Sequence, residues 1–315
     1  MNIQQLEYVV ALDTHRHFVT AATHCHVTQP TLSMQVQSLE KELDVVLFDR
    51  KRSPLEPTPA GRKVIAQARQ ILREIQVLRD SVKDERARLT GEFRLGIIPT
   101  LAQYLVPLFL VDFVTKHPQT NLLIEEMPTD QVVHRLKQGR LDLGILVTPL
   151  EDDAIREVPI FNEPFLAYVS PTHPLFGKTE VRAEELDEGD VWLLNQGHCF
   201  RSQVINLCNG HEQSCSRRGF AYESGSIETL KRMVDRHYGY TLVPELSVLD
   251  EIGTNPVVKR FADPEPVREV SLAVHRSFPK EALLQALRTE ILASIPERMR
   301  ISDGKKRIHW RGSNS

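Results

Sequence analysis

Three of the four cysteines, Cys199, Cys208 and Cys215, fall within 17 residues, while Cys25 lies far from them. Cys199 stands in the run Gly197-His198-Cys199-Phe200-Arg201, so two potentially cationic side chains flank its sulfur. The thiolate is the nucleophile that oxidants meet, and positive neighbours raise the thiolate fraction. Cys199 also follows a strand-like run, Val191–Asn195, and Gly197, where a new helix can begin. Backbone N–H groups at a helix start would lower the thiol pKa further. Oxidation would give a sulfenic acid, which a second thiol can trap. The same tract permits a different chemistry. His198, Cys199, Cys208, His211 and Cys215 offer the soft and imidazole ligands that suit zinc, and positions 208, 211 and 215 would share one face of a continuous helix. Gly210 weakens that helix and the Cys199 to Cys208 interval matches no common zinc pattern, so neither a metal nor a cofactor is expected.

The elements that must position these residues can be read from composition and periodicity. The chain has 315 residues, 41% apolar and 26% charged, with a net charge of −3. That is the balance of a globular protein of two or three domains. The longest apolar run, Tyr104 to Val111, is far short of the roughly 20 residues a membrane helix needs, and residues 1–5 lack the features of a secretion signal. A cytoplasmic protein without membrane contact is therefore expected, in which a permanent disulfide framework is unlikely to persist. Charge is unevenly spread. Residues 59–90 carry eight Lys/Arg against four Asp/Glu, and Arg50, Lys51 and Arg52 form a basic cluster.

Residues 1–58 read as short helices. Apolar positions recur with helical spacing at Ile3, Leu6, Val9 and Val10, at Phe18, Ala21 and Ala22, and at Leu32, Val36, Leu39 and Leu43. Thr28-Gln29-Pro30 is a helix-start signal, so a helix-turn-helix is predicted, followed by a short wing across 47–59. From Ala60 to about Arg88 the stripe Val64, Ala68, Ile71, Leu72, Ile75, Leu78 and Val82 predicts one long helix. Such a stripe needs a partner, the simplest being its own copy in a second chain. Beyond Gly91, strand-like and helical segments alternate, which predicts α/β layers with mostly parallel sheets.

Five blocks in order resemble the LysR-type transcriptional regulators: Phe18-Val19-Thr20-Ala21-Ala22; Val27 through Ser33; Leu39-Glu40; Leu47-Phe48-Asp49-Arg50; and Pro57 through Gly61. The resemblance implies an α/β protein with an N-terminal all-α winged helix-turn-helix (1–58), a linker and dimerisation helix (59–90) and a periplasmic-binding-protein-like effector domain (91–300). The two halves of that domain would be about 91–161 plus 267–300, and 162–266. Residues 301–315 read as a solvated, disordered basic tail. Thr28, Gln29, Pro30, Thr31, Ser33, Gln35 and Gln37 would face double-stranded operator DNA in the major groove, while Arg50, Lys51 and Arg52 would hold phosphates. A dimer through the linker helix implies a roughly palindromic operator. The family further implies a tetramer and a contact with RNA polymerase.

Residues 193–208, with Gly197-His198-Cys199-x-Arg201 and a second cysteine at 208, resemble the peroxide-sensing members of that family. So do Met1-Asn2-Ile3, Leu6-Glu7-Tyr8, His15 through Phe18, Cys25-His26-Val27, Ile98-Pro99-Thr100 and Ser226 through Leu230. This resemblance implies that hydrogen peroxide oxidises Cys199 and that Cys208 closes a disulfide, in control of oxidative-stress genes. Thr100, Thr129, His198, Arg201 and Gln203 would line the peroxide pocket. A helical 199–208 segment would hold the two Cα atoms roughly 13 Å apart, whereas a disulfide requires about 4.4–6.8 Å. The bond would then form only by refolding. Ser202 departs from the acidic residue common at this place, and Cys215 is an additional thiol. Signalling rather than enzymatic turnover is the expected role. The competing reading within the family is a regulator of a small organic inducer, with buried, inert cysteines.

Overall fold

The structure is a computed structural model, and it describes residues 1–52, 54–81, 89–186, 188–195, 199–208, 224–300 and 306–308. The chain divides into two compact units: Met1–Ala87 with the short pieces Lys137–Arg140 and Ser277–Lys280, and the remainder.

In the first unit, α1 (Ile3–His15) starts at a capping box, where Asn2 accepts from Gln5 N–H and the Gln5 side chain accepts from Asn2 N–H. Helix α2 (Phe18–His24) leads to α3 (Gln29–Leu43), capped by Thr28 with proline in the first turn. The wing is a two-stranded antiparallel ribbon, β1 (Phe48–Asp49) with β2 (Glu56–Pro57). Helix α4 (Pro59–Ser81) follows. Gly61 has a steric reason: a Cβ there would lie 2.0 Å from Leu47 O. Leu6, Val9, Leu12, Ala21, Leu32, Val36, Leu39, Leu47 and Phe48 make the core, and Ile65 and Ala68 of α4 are part of it. Arg69 is buried here too, donating to the buried Asp13 carboxylate at 2.8 Å. Burial works to raise the Asp13 pKa, but the hydrogen bond from Arg69 and the charges around it outweigh burial and hold it below the usual range. Towards the far end of α4, Leu78 is 67% exposed.

The second unit is built as β3 (Gly91–Ile97), α5 (Pro99–Lys116), β4 (Thr120–Glu126), α6 (Thr129–Lys137), β5 (Leu143–Thr148), β6 (Ile155–Val169), β7 (Glu180–Val181), α7 (Cys199–Leu207), α8 (Ile227–Arg236), β8 (Tyr240–Pro244), β9 (Val258–Phe261), β10 (Pro266–His275), α9 (Glu281–Ser294) and β11 (Lys306–Arg307). Its sheet runs β4-β3-β5-β10-β6-β9-β7, with β8 on β6 and β11 on β10. This is an α/β architecture of the periplasmic-binding-protein kind, but the expected predominance of parallel pairing does not hold. Strands β4, β3 and β5 are parallel, whereas β10 is antiparallel to both β5 and β6, and β6 is antiparallel to β8 and β9. The long strands β6 and β10 are buried along most of their length, polar positions included, and each serves several neighbours at once.

Two further expectations are corrected. The run Val191–Asn195 forms only isolated bridges, Val191 with Tyr240 and Leu194 with Ser224. The basic tail is not wholly a solvated end: Lys306 and Arg307 pair in parallel with Pro266 and Val267, and Ile308 is buried. The reason is visible in the side chains. Ile308 is apolar amid basic residues, and it joins the buried cluster that contains Phe200, Val204 and Leu207. The expected strand over 220–223 and the residues His198, His211 and Cys215 lie outside the described residues.

Candidate functional site

Helix α7 starts at Cys199, which is 8% exposed. The start of α6 meets its sulfur, and the start of α5 is tied to the same place through Arg268. Thr129 is the first residue of α6, and Thr100 follows Pro99 in the first turn of α5; both are buried. Burial pushes the Cys199 thiol above its ordinary pKa. The Arg268 guanidinium, the Thr129 hydroxyl and the N–H groups of Phe200 and Cys199 pull it back without cancelling that effect. Although Thr129 faces the sulfur, its buried Oγ1 makes no hydrogen bond of ordinary geometry among the described residues.

Arg268 is the residue that sequence reasoning missed. It projects from β10 and is fully buried. Its Nε donates to Glu163 Oε2 at 2.8 Å, its Nη1 to Thr100 Oγ1 at 3.0 Å and its Nη2 to Thr100 O at 3.1 Å. Its guanidinium lies 5.1 Å from the centre of the Phe200 ring, beside Cys199. Glu163, on β6, is equally buried. Burial raises its pKa, while Arg268 and a hydrogen bond from Leu246 N–H at 3.1 Å oppose the rise. A planar fork held at three corners keeps a positive charge next to a sulfur without exposing either to water. The available signal was a charge inside an otherwise apolar strand, Val267-Arg268-Glu269-Val270, since an unpaired charge there would be prohibitively costly.

The other expected pocket residues divide. Thr129 meets the Cys199 sulfur, and Thr100 holds the Arg268 that acts on it. Arg201 is half-buried and donates to Leu194 O at 2.7 Å. Gln203 is buried and donates to Ile308 O at 2.8 Å. His198 falls outside the described residues. Cys208 follows the last residue of α7, and its N–H bonds to Val204 O at 3.0 Å, so the helical path continues to it. Both sulfurs are buried, at opposite ends of one helix. Its rise separates their Cα atoms by roughly 13 Å.

In the first unit, Gln29, Pro30 and Gln37 are exposed on α3, while Thr31, Ser33 and Gln35 are half-buried. Thr28 Oγ1 caps the helix and lies 2.8 Å from Thr31 Oγ1. Gln35 is held from within, accepting from Gln5 Nε2 at 3.1 Å. On the wing, Arg50 donates to Glu40 at 2.9 Å and covers the Phe18 ring, and Arg52 donates to Glu56 at 2.6 Å. Lys51 is exposed. Such surface pairs are worth about 0–1 kcal/mol, so a phosphate can displace the carboxylate.

Two family models match the chain: the bacterial regulatory helix-turn-helix protein, lysR family, over residues 3–62, and the LysR substrate binding domain over residues 86–295. The chain is 36% identical over 281 residues to the hydrogen peroxide-inducible genes activator of Haemophilus influenzae, covering 89% of this chain and 92% of that one. It is 35% identical over 296 residues to the DNA-binding transcriptional dual regulator OxyR of Escherichia coli K12, covering 94% and 96%. A full-length OxyR variant from Pseudomonas aeruginosa superposes with a TM-score of 0.82 at 33% identity, over 94% of this chain and 99% of that one. With a helix-turn-helix unit, an α/β unit and both family models in register along one polypeptide, this chain belongs to the LysR family of DNA-binding transcriptional regulators.

Proposed function

We propose that this regulator senses hydrogen peroxide through Cys199 and records the encounter as a Cys199–Cys208 disulfide. The observation that carries the reading is the position of the two thiols at the two ends of α7, with Thr100, Thr129 and Arg268 gathered at the Cys199 end. Peroxide is small, uncharged and able to both donate and accept hydrogen bonds. The unsatisfied Thr129 hydroxyl supplies a partner for it beside the sulfur. Arg268 stabilises negative charge on the thiolate as the peroxide approaches. The Cys199 thiolate attacks one peroxide oxygen; the S–O bond forms, the O–O bond breaks and hydroxide departs. Cys208 then displaces water from the sulfenic acid. A disulfide cannot span a helix of this length, so α7 must unwind. The chemistry is thereby converted into a change of backbone shape, which is a differential contact of the kind that biases an assembly.

The remaining roles follow from the same reading. α3 enters the major groove with Gln29 and Gln37 exposed toward base edges, and Arg50, Lys51 and Arg52 neutralise phosphates. α4 supplies a dimer contact, supported by its amphipathic stripe and exposed Leu78. Two dimers would form a tetramer and set the geometry presented to RNA polymerase. The role is signalling rather than turnover, in the reducing cytoplasm where an oxidised pair is transient. Support comes from relatives: an OxyR variant from Corynebacterium glutamicum, 27% identical with a TM-score of 0.60, is known in an H2O2-bound form.

The test is peptide mapping by mass spectrometry before and after brief micromolar peroxide. A Cys199–Cys208 link is expected. Unchanged promoter output in a Cys199→Ser/Cys208→Ser protein would point to an organic inducer. Multiple-turnover peroxide consumption with a thiol reductant would point to an enzyme.

A further inference from the structure

The C-terminal segment Lys306–Ile308 sits between β10 and α7. Ile308 N–H donates to Val267 O at 2.8 Å, which extends the parallel pairing of β11 with β10. On its other side the Ile308 carbonyl accepts from Gln203 Nε2 at 2.8 Å, inside the protein. Gln203 is fully buried and its Oε1 has no hydrogen-bond partner among the described residues, so the Ile308 carbonyl is what fixes this amide. The Ile308 side chain belongs to the same buried cluster as Phe200, Val204, Leu207 and Cys208 of the α7 segment. Arg307 adds an ion pair with Glu269 at 2.7 Å. Ile308 therefore meets α7 by a polar bond at its middle and shares its buried apolar cluster, while Lys306 and Arg307 hold the segment to β10. They are anchored to a strand that has no part in the helix.

We infer that Lys306–Ile308 is a strap that holds α7 helical and thereby sets how fast Cys208 reaches an oxidised Cys199. The inference rests on the peroxide reading above and goes beyond it, because it assigns the strap to the second chemical step alone. In the first step Cys199 is oxidised to the sulfenic acid and one peroxide is reduced to hydroxide, with the backbone unmoved. In the second, the Cys208 sulfur attacks the sulfenic sulfur. The S–S bond forms, the S–O bond breaks and the hydroxyl leaves as water with the thiol proton. Only this step requires the ends of α7 to meet. Unwinding α7 withdraws the Gln203 donor and the apolar wall behind Ile308, so closure of the disulfide and release of the strap are one event.

Two variants of the full chain test this: Ile308→Ala, and a chain ending at residue 305. Sulfenic acid formation is measured by trapping in a Cys208→Ser background, and disulfide closure by acid quench and mass spectrometry with Cys208 present. Loss of one such contact should speed closure by about fivefold or more, with trapping unchanged. Hydrogen exchange at the Ile308 amide of the unsubstituted chain should be slow before peroxide and fast after it. Closure at the parent rate or slower in both variants overturns the inference. So does an Ile308 amide equally protected in both states, or a change in the trapping rate. If the unsubstituted chain traps as a sulfenic acid but never links Cys199 to Cys208, the peroxide reading loses its second step and the strap falls with it.

Discussion

The thiol pocket and the wing both carry arginine, and they hold it in opposite ways. Arg268 is fully buried, locked by Glu163 and Thr100, and cannot leave without stranding a carboxylate in the protein interior. Arg50 and Arg52 lie at the surface, paired with Glu40 and Glu56. The first arrangement is preorganised: the charge is fixed before any reactant arrives, and no reorganisation is needed when negative charge develops on sulfur. The second is exchangeable: a surface pair worth about 0–1 kcal/mol leaves the guanidinium open to a competing anion, as the proposed phosphate contact requires. Burial thus separates an arginine that tunes chemistry from one that negotiates a partner.

This contrast can be broken or sharpened by substitution. The largest effect is expected at the sulfur itself. Cys199→Ser should abolish peroxide-dependent promoter output while leaving operator binding intact in a gel-shift assay. Next comes Arg268→Ala. Removing one partner from a buried pair costs about 3–5 kcal/mol, read as a lower midpoint in urea unfolding. The same change removes a cation that draws the Cys199 pKa down, so the pH profile of thiol alkylation should move to higher pH. An unmoved profile would show that Arg268 serves stability alone.

Arg69→Ala tests whether a buried pair in the DNA-binding unit behaves like the one in the pocket. Asp13 has a folded pKa held below its unfolded value of about 3.9, so its stabilising contribution is present above that value and is lost as pH falls through the folded pKa. Without Arg69 the Asp13 pKa climbs, although Arg140 and Arg16 still hold it down, and acid unfolding of the variant should begin at a higher pH. The smallest effect on folding belongs to Arg50→Ala, under about 1 kcal/mol. Its effect on DNA should be distinct: weaker binding to all sequences, with the salt dependence reduced by about one ion. A loss confined to one operator sequence would contradict a phosphate contact.

What could be read from sequence followed the periodicities. Helices α1, α3, α5, α8 and α9 and strands β3, β4 and β8 carry their apolar spacing and start signals within a few residues, so local pattern suffices. The place of Cys199 and Cys208 at the two ends of one helical stretch was legible for the same reason, since they are close in sequence. Arg268 and Glu163 were not, because their pairing joins residues 105 apart across antiparallel strands. The sense of β6 against β10 likewise depends on long-range register, which a one-dimensional pattern does not encode. Ile308 is the sharpest case: an isolated apolar residue between basic ones gives no period to detect, and its partners, Val267 and Gln203, reveal its place.

The burial of Ile65, Ala68 and Arg69 in the first unit has a mechanical consequence. The stem of α4 is welded to the reading head rather than attached by a swivel. A torque applied to that shaft is carried into the packed unit that holds α3.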